Sequence, residues 1–137
     1  MPVDATQLWL LLLCEYIDWT GDLDYARKLW PRVKSAIDWL NRTADNGYLG
    51  YIKTNEDGLE NQGWKDSHDS VVYRNGQIAK PPIYLCEAQA YLYAAKKRIA
   101  DLAEKLKYKS YAARLRDEAA KLKLLFQKDF LQSIENS

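Results

Sequence analysis

Between Leu8 and Trp19 the chain gives a helix almost no face to turn toward water, because only Glu15 and Asp18 interrupt the apolar run. A helix without a polar face is buried on all sides. Any fold built from this sequence must therefore wrap other elements around that segment. Its start is marked by Asp4-Ala-Thr-Gln7, which has the form of a capping box with Asp4 as N-cap and Gln7 reaching back. Its end is marked by Thr20-Gly21-Asp22, in which Gly21 suits the left-handed residue after a helix and Asp22 caps the next helix.

The later segments supply the wrapping. A second helix is expected from about Leu23 to Thr43, with Val33, Ala36, Ile37 and Leu40 forming one apolar stripe, the mark of a half-exposed outer helix. Pro31 lies inside it and predicts a short helix that restarts at or just before the proline, where a missing N–H costs little. A third helix, about Ile83 to Leu106, is apolar in its first half with Glu87 and Gln89 embedded, and charged in its second. A fourth, about Ser110 to Phe130, carries the stripe Tyr111, Leu115, Ala119, Leu122 and Phe126, with an Asp117–Lys121 pair on the wet side. The order is buried helix, amphipathic helix, long connection, buried helix, amphipathic helix. That is an αα-hairpin twice over, an all-α chain with the inner helix first each time.

Between the hairpins, residues from about Ala44 to Pro81 do not read as helix. A connection this long is unusual in a compact domain, and loops on rigid scaffolds are where binding and catalytic groups collect. Asp45-Asn46-Gly47, Asp57-Gly58 and Asn75-Gly76 are turn chemistry, Tyr48 to Ile52 has the makings of a short strand, and Pro81-Pro82 prepares the next helix. An EF-hand is excluded, since the required glycine and the final glutamate are absent. At the centre lies Asn61-Gln62-Gly63-Trp64-Lys65-Asp66-Ser67-His68-Asp69-Ser70, with two aspartates, a tryptophan and the sole histidine of the chain.

Composition narrows the function classes. With 137 residues, 47% of them hydrophobic, the chain is one globular domain or part of one. Twenty basic against nineteen acidic residues give no electrostatic case for nucleic acid or an anionic membrane as partner. Cys14 and Cys86 stand far apart in apolar stretches and read as buried free thiols. No basic region precedes the first apolar run, which is also too short to span a bilayer, so a soluble cytoplasmic protein is expected. No phosphate loop, dinucleotide fingerprint, zinc spacing or Ser/His/Asp arrangement occurs, and the expectation is no cofactor and no metal.

Several motifs, in order, resemble one enzyme family. Asp4-Ala-Thr-Gln-Leu-Trp9, Glu15-Tyr16, Trp19-Thr-Gly-Asp22 and Leu29-Trp-Pro31 are similar to the amylo-α-1,6-glucosidases of glycogen-debranching type. Asn61-Gln-Gly-Trp-Lys-Asp-Ser67, Asp69-Ser70 and Cys86-Glu-Ala-Gln-Ala-Tyr91 continue the likeness up to about Phe130, while Leu131 to Ser137 do not share it. That family stands with trehalases and processing glucosidases. The resemblance implies an (α/α)6 barrel of six inner and six outer helices, of which this chain holds two hairpins.

It also implies chemistry. Inverting cleavage of a glycoside uses one carboxylic acid to protonate the leaving oxygen and one carboxylate to activate water, about 6.5–9.5 Å apart. The aspartate after the motif tryptophan, here Asp66, looks like the general acid, and the resemblance puts the general base in a later hairpin. Trp64 is suited to stack on a sugar ring and to raise the Asp66 pKa by desolvation, although it would serve equally as a core plug. From the residues alone Asp66 also suits an Asx-turn or capping bond, and the resemblance favours the general acid. Asp69 either holds a substrate hydroxyl or shapes the loop, Gln62 is a further polar candidate, and His68 is outside the resemblance. Glu87, in the first turn of the third helix, and Asp4, if it is more than an N-cap, are expected near the pocket.

The expected function is thus a glycosidase segment acting on α-glucosidic oligosaccharides, its isolated activity weak or absent. The alternative is a non-catalytic helical carbohydrate-binding or protein-interaction module. Helices apolar on every face, with no further hairpins to cover them, predict a homo-oligomer, dimer first and trimer second.

Overall fold

The computed structural model describes residues 4–45, 48–49 and 86–128. They form four helices, α1 (Ala5–Thr20), α2 (Leu23–Thr43), α3 (Cys86–Lys105) and α4 (Lys109–Phe126). A minimal hairpin of β1 (Ala44–Asp45) and β2 (Tyr48–Leu49) pairs Ala44 with Leu49 and Asp45 with Tyr48. It comes directly after α2, where the turn chemistry of Asp45-Asn46-Gly47 pointed.

The helices are two antiparallel hairpins side by side. α1 and α3 run parallel at the centre: Gln7 meets Ala88 near their N-terminal ends, while Glu15 and Asp18 meet Arg98, and Asp18 meets Lys105, further along. α2 packs on α1 and α4 packs most intimately on α3. Four alanines on α3 (Ala88, Ala95, Ala100 and Ala103) are buried, which keeps this central helix slim where its neighbours pack on it. The core lies between the layers, from Leu10, Leu13 and Ile17 on α1 through Trp30, Val33, Ile37 and Leu40 on α2 to Leu92 and Ile99 on α3 and Leu115 and Leu122 on α4. Fully burying one such side chain is worth about 1.5–3 kcal/mol, so this shared interior holds the hairpins together.

The first turn is as expected. Gly21 adopts the left-handed conformation (φ 68°), its N–H donates to the Ile17 carbonyl at 2.7 Å, and Asp22 Oδ1 accepts from the Tyr25 N–H at 3.0 Å. The second hairpin turns through the same backbone region without a glycine, at Lys107 (φ 73°).

Three expectations need correction. Pro31 does not divide α2, which continues through it. The proline is on the exposed side, while Ala26, Trp30, Val33 and Ile37 keep the buried stripe continuous across it. Asp4 makes no side-chain capping bond, and the Gln7 amide instead donates across to the Ala88 carbonyl at 3.4 Å, so the capping box is replaced by an interhelical tie. α1, finally, is not buried on all sides: Leu8, Trp9, Leu12, Tyr16 and Trp19 are exposed, because α2 and α3 together cover only part of its circumference.

Candidate functional site

The parallel inner helices place both of their N-termini at one end of the bundle, and the polar side chains there are unusually well buried. Asp4, just before α1, is 5% exposed, and Gln7 and Gln89 are fully buried. Glu87 is half-buried in the first turn of α3. The Gln7 to Ala88 hydrogen bond fastens the two helix ends together. Polar groups are costly to bury and in native proteins are almost always partnered. A carboxylate and two amides buried together at one end of a largely apolar core thus set that end apart.

The long connection belongs to the same end. α2 runs back toward the start of α1, so its last turn and the β1–β2 hairpin emerge beside Asp4, and β2 lies against α3. The chain re-enters the described structure at Cys86, at the head of α3. Both stems of the connection therefore stand at the end that carries Asp4 and Glu87. Gln62, Trp64, Asp66 and Asp69 lie outside the described residues, as do the expected turns at Asp57-Gly58, Asn75-Gly76 and Pro81-Pro82.

Two polar clusters were not singled out from the sequence. Behind the site end, Lys96 is buried on α3; its ammonium donates to Asn41 Oδ1 at 2.9 Å and meets Glu118 Oε2 at 3.3 Å. Asn41 Nδ2 in turn donates to the same glutamate at 3.5 Å, so α2, α3 and α4 share one charged hub. A signal existed: Lys96 falls between Leu92 and Ile99 on the buried stripe of α3, a register where a charge must find a partner.

At the opposite end, a cavity of about 280 Å³ between α1 and α3 is lined by Cys14, Ile17, Asp18, Arg98, Asp101, Leu102 and Lys105. Its charges are matched within the chain. Arg98 donates to Glu15 at 2.7 Å and Asp18 at 2.6 Å, Lys105 to Asp18 at 3.4 Å, and Arg116 to Asp101 at 2.8 Å. The hydrogen bond from Arg98, supported by Lys105, holds the Asp18 carboxyl below its ordinary range. Burial pushes the Cys14 thiol up to about 11. A protonated thiol beside compensated ions is no nucleophile, so this end clamps α1 to α3.

Residues 6–136 match the family model of the bacterial alpha-L-rhamnosidase six-hairpin glycosidase domain. No curated protein and no solved structure matches the chain. The match covers nearly all of the chain and agrees with the two parallel-stacked hairpins. It supports the six-hairpin glycosidases at large rather than the amylo-α-1,6-glucosidase type that the motifs resemble. No helix among the described residues is long and apolar enough to cross a membrane.

Proposed function

The chain belongs to the bacterial alpha-L-rhamnosidase six-hairpin glycosidase family, and from that premise we propose that it forms part of the catalytic domain of an inverting glycoside hydrolase. Asp66 is the general acid in this reading, and Trp64 supplies the apolar wall that keeps its carboxyl protonated. Asp69 and Gln62 hold sugar hydroxyls, with Glu87 and Asp4 at the rim. The observation that carries the reading is that both stems of the connection stand beside Asp4 and Glu87, over two inner-helix N-termini tied by Gln7 and Ala88.

The substrate is an α-glycoside. The matching family favours a terminal α-L-rhamnosyl unit, whereas the motif resemblance favours an α-glucosyl unit. The two differ in their ring substituents, and a polar site that hydrogen-bonds a hydroxyl rejects an analogue lacking it by a large factor. Titrating the chain with L-rhamnose and D-glucose, and with their aryl α-glycosides, tests both points. Saturable binding of one sugar, lost in Trp64→Ala and kept within about tenfold in Asp66→Asn, is expected, because Asp66→Asn removes a proton donor and keeps the shape. Binding without turnover in every assembly of the chain would favour the non-catalytic carbohydrate-binding alternative. Absence of any sugar binding would overturn the reading.

A further inference from the structure

The two carboxylates assigned to the rim of the site belong to different helices, so their separation depends on how α1 and α3 are held. Asp4 is locked to the first turn of α1, where its carbonyl accepts the Leu8 N–H at 3.1 Å. Glu87 is in the first turn of α3 and directly precedes Ala88. Gln7 bridges the two turns: its side chain is fully buried, and its Nε2 donates to the Ala88 carbonyl at 3.4 Å. A helical carbonyl keeps a second lone pair for such a donor, so the tie forms without breaking the ladder of α3.

We propose that Gln7 is a positioning residue, one that sets the separation of the Asp4 and Glu87 carboxylates by fixing the first turn of α1 against that of α3. The role rests on the assignment of Asp4 and Glu87 to the rim of a sugar site. Glutamine suits it for two reasons. Its amide N–H bonds a backbone carbonyl that an apolar side chain of similar volume would leave unmet. It also carries no charge, so its burial costs far less than that of a lysine or arginine.

The clamp at the far end holds the helix pair together but does not set this separation. There Arg98 meets Glu15 and Asp18, whose side chains are about half exposed, and Lys105 meets Asp18. Ion pairs between long, solvated side chains adjust to small shifts and contribute little stability. From Gln7 to Asp18 the chain climbs about 16 Å of helix. Over that length, a tilt of about 5° pivoting on the clamp moves the first turn by more than about 1 Å. Binding and catalytic groups need placement within about 0.5 Å, and a misplacement of about 1 Å costs on the order of 100-fold. A buried contact between the two first turns is what holds that tolerance, and the Gln7 amide supplies one.

Nitroxide distance measurements on the full chain, with Cys14 and Cys86 replaced by alanine, test the assignment. One label pair is at the site end, on Leu8→Cys and Ala90→Cys, and the other is near the clamp, on Trp19→Cys and Lys97→Cys; all four positions are exposed. Gln7→Met keeps the volume and removes the donor, whereas Gln7→Asn keeps the amide but falls one methylene short of Ala88. Both should shift or broaden the site-end distance by at least about 1 Å and leave the clamp distance as in the parent. Both should also weaken the binding of L-rhamnose or D-glucose, whichever the parent takes, by about tenfold or more. A site-end distance that either variant leaves unchanged overturns the proposal. Broadening at both pairs overturns it too, since that marks an ordinary packing residue or an unfolded chain. An altered distance with undiminished sugar affinity removes the positioning role. If the parent itself binds neither sugar, the reading of the rim fails, while the label distances still decide whether Gln7 sets the spacing.

Discussion

The Lys96 ammonium reaches from α3 to Asn41 Oδ1 on α2 at 2.9 Å, which ties the two hairpins through residues 55 positions apart along the chain. With Glu118 at 3.3 Å the charge is compensated, and the pair is well shielded from solvent. Breaking a buried pair from one side leaves an orphan charge and costs about 3–5 kcal/mol, whereas replacing both members by apolar residues is often neutral. Glu118 retains some exposure, so Glu118→Ala should cost about 2–4 kcal/mol in urea unfolding. Lys96→Met should cost less, and the double variant should recover most of the loss. Additive costs would mean that the hub is not coupled.

The hairpin turns make a matched pair of tests. Gly21 and Lys107 share the left-handed conformation, and a Cβ at Gly21 would meet nothing within 4 Å. Gly21→Ala should therefore destabilise through backbone conformation alone, by about 1–2 kcal/mol. Lys107→Gly should stabilise by up to about 1 kcal/mol, since it removes a strained side chain from an exposed turn. Thermal unfolding of both variants checks the opposite signs.

Cys14 should behave as a cryptic thiol. Its pKa rises from an ordinary 9.0 to about 11 chiefly because it is buried, with Arg98 opposing the shift and Asp18 adding to it. At pH 8 only about one molecule in a thousand carries the thiolate. Alkylation mapped by mass spectrometry should reach Cys14 only under unfolding conditions. The same shift fixes an alkaline slope: from pH 9 to 11 the unfolded chain releases the proton and the folded chain keeps it. Stability is unaffected by this group below that window and falls within it by up to about 1.4 kcal/mol per pH unit. A flat profile for the parent chain would contradict the burial of this thiol.

A truncation in the centre of the core gives the scale for the others. Leu10 is fully buried on α1 within the shared core cluster. Leu10→Ala should cost about 2–5 kcal/mol in the same unfolding assay, part from lost transfer energy and part from the cavity left behind.

Helix identity and order were legible because each helix carries its period and three of the four carry terminal markers. Gly21 and Asp22 ended and capped as read, and the stripe from Tyr111 through Leu122 faces the core. The misreadings share a cause, which is that local rules yield to tertiary contacts. Pro31 is a breaker only where no continuous buried face spans it. Gln7 suits a cap until a neighbouring carbonyl comes within reach. A lysine at position 107 gives no turn signal, because the strain it carries is sustained by packing between α3 and α4 rather than by its own preference. Asp4 and Glu87 share one end of the bundle because α1 and α3 run parallel. The tie from buried Gln7 to Ala88 arises from two helices meeting, which no single stretch of sequence encodes.

The stems of the long connection stand together because interhelical contacts hold them there, and this frees the connection from any duty to span a gap. Closure of a flexible loop costs entropy only as the logarithm of its length, so doubling its length adds merely about 0.6 kcal/mol. The ties from Gln7 to Ala88, from Arg98 to Glu15 and Asp18, and through Lys96 all run between helices and ask nothing of residues 50–85. The register of α1 against α3 is thus fixed by contacts made within the helices themselves.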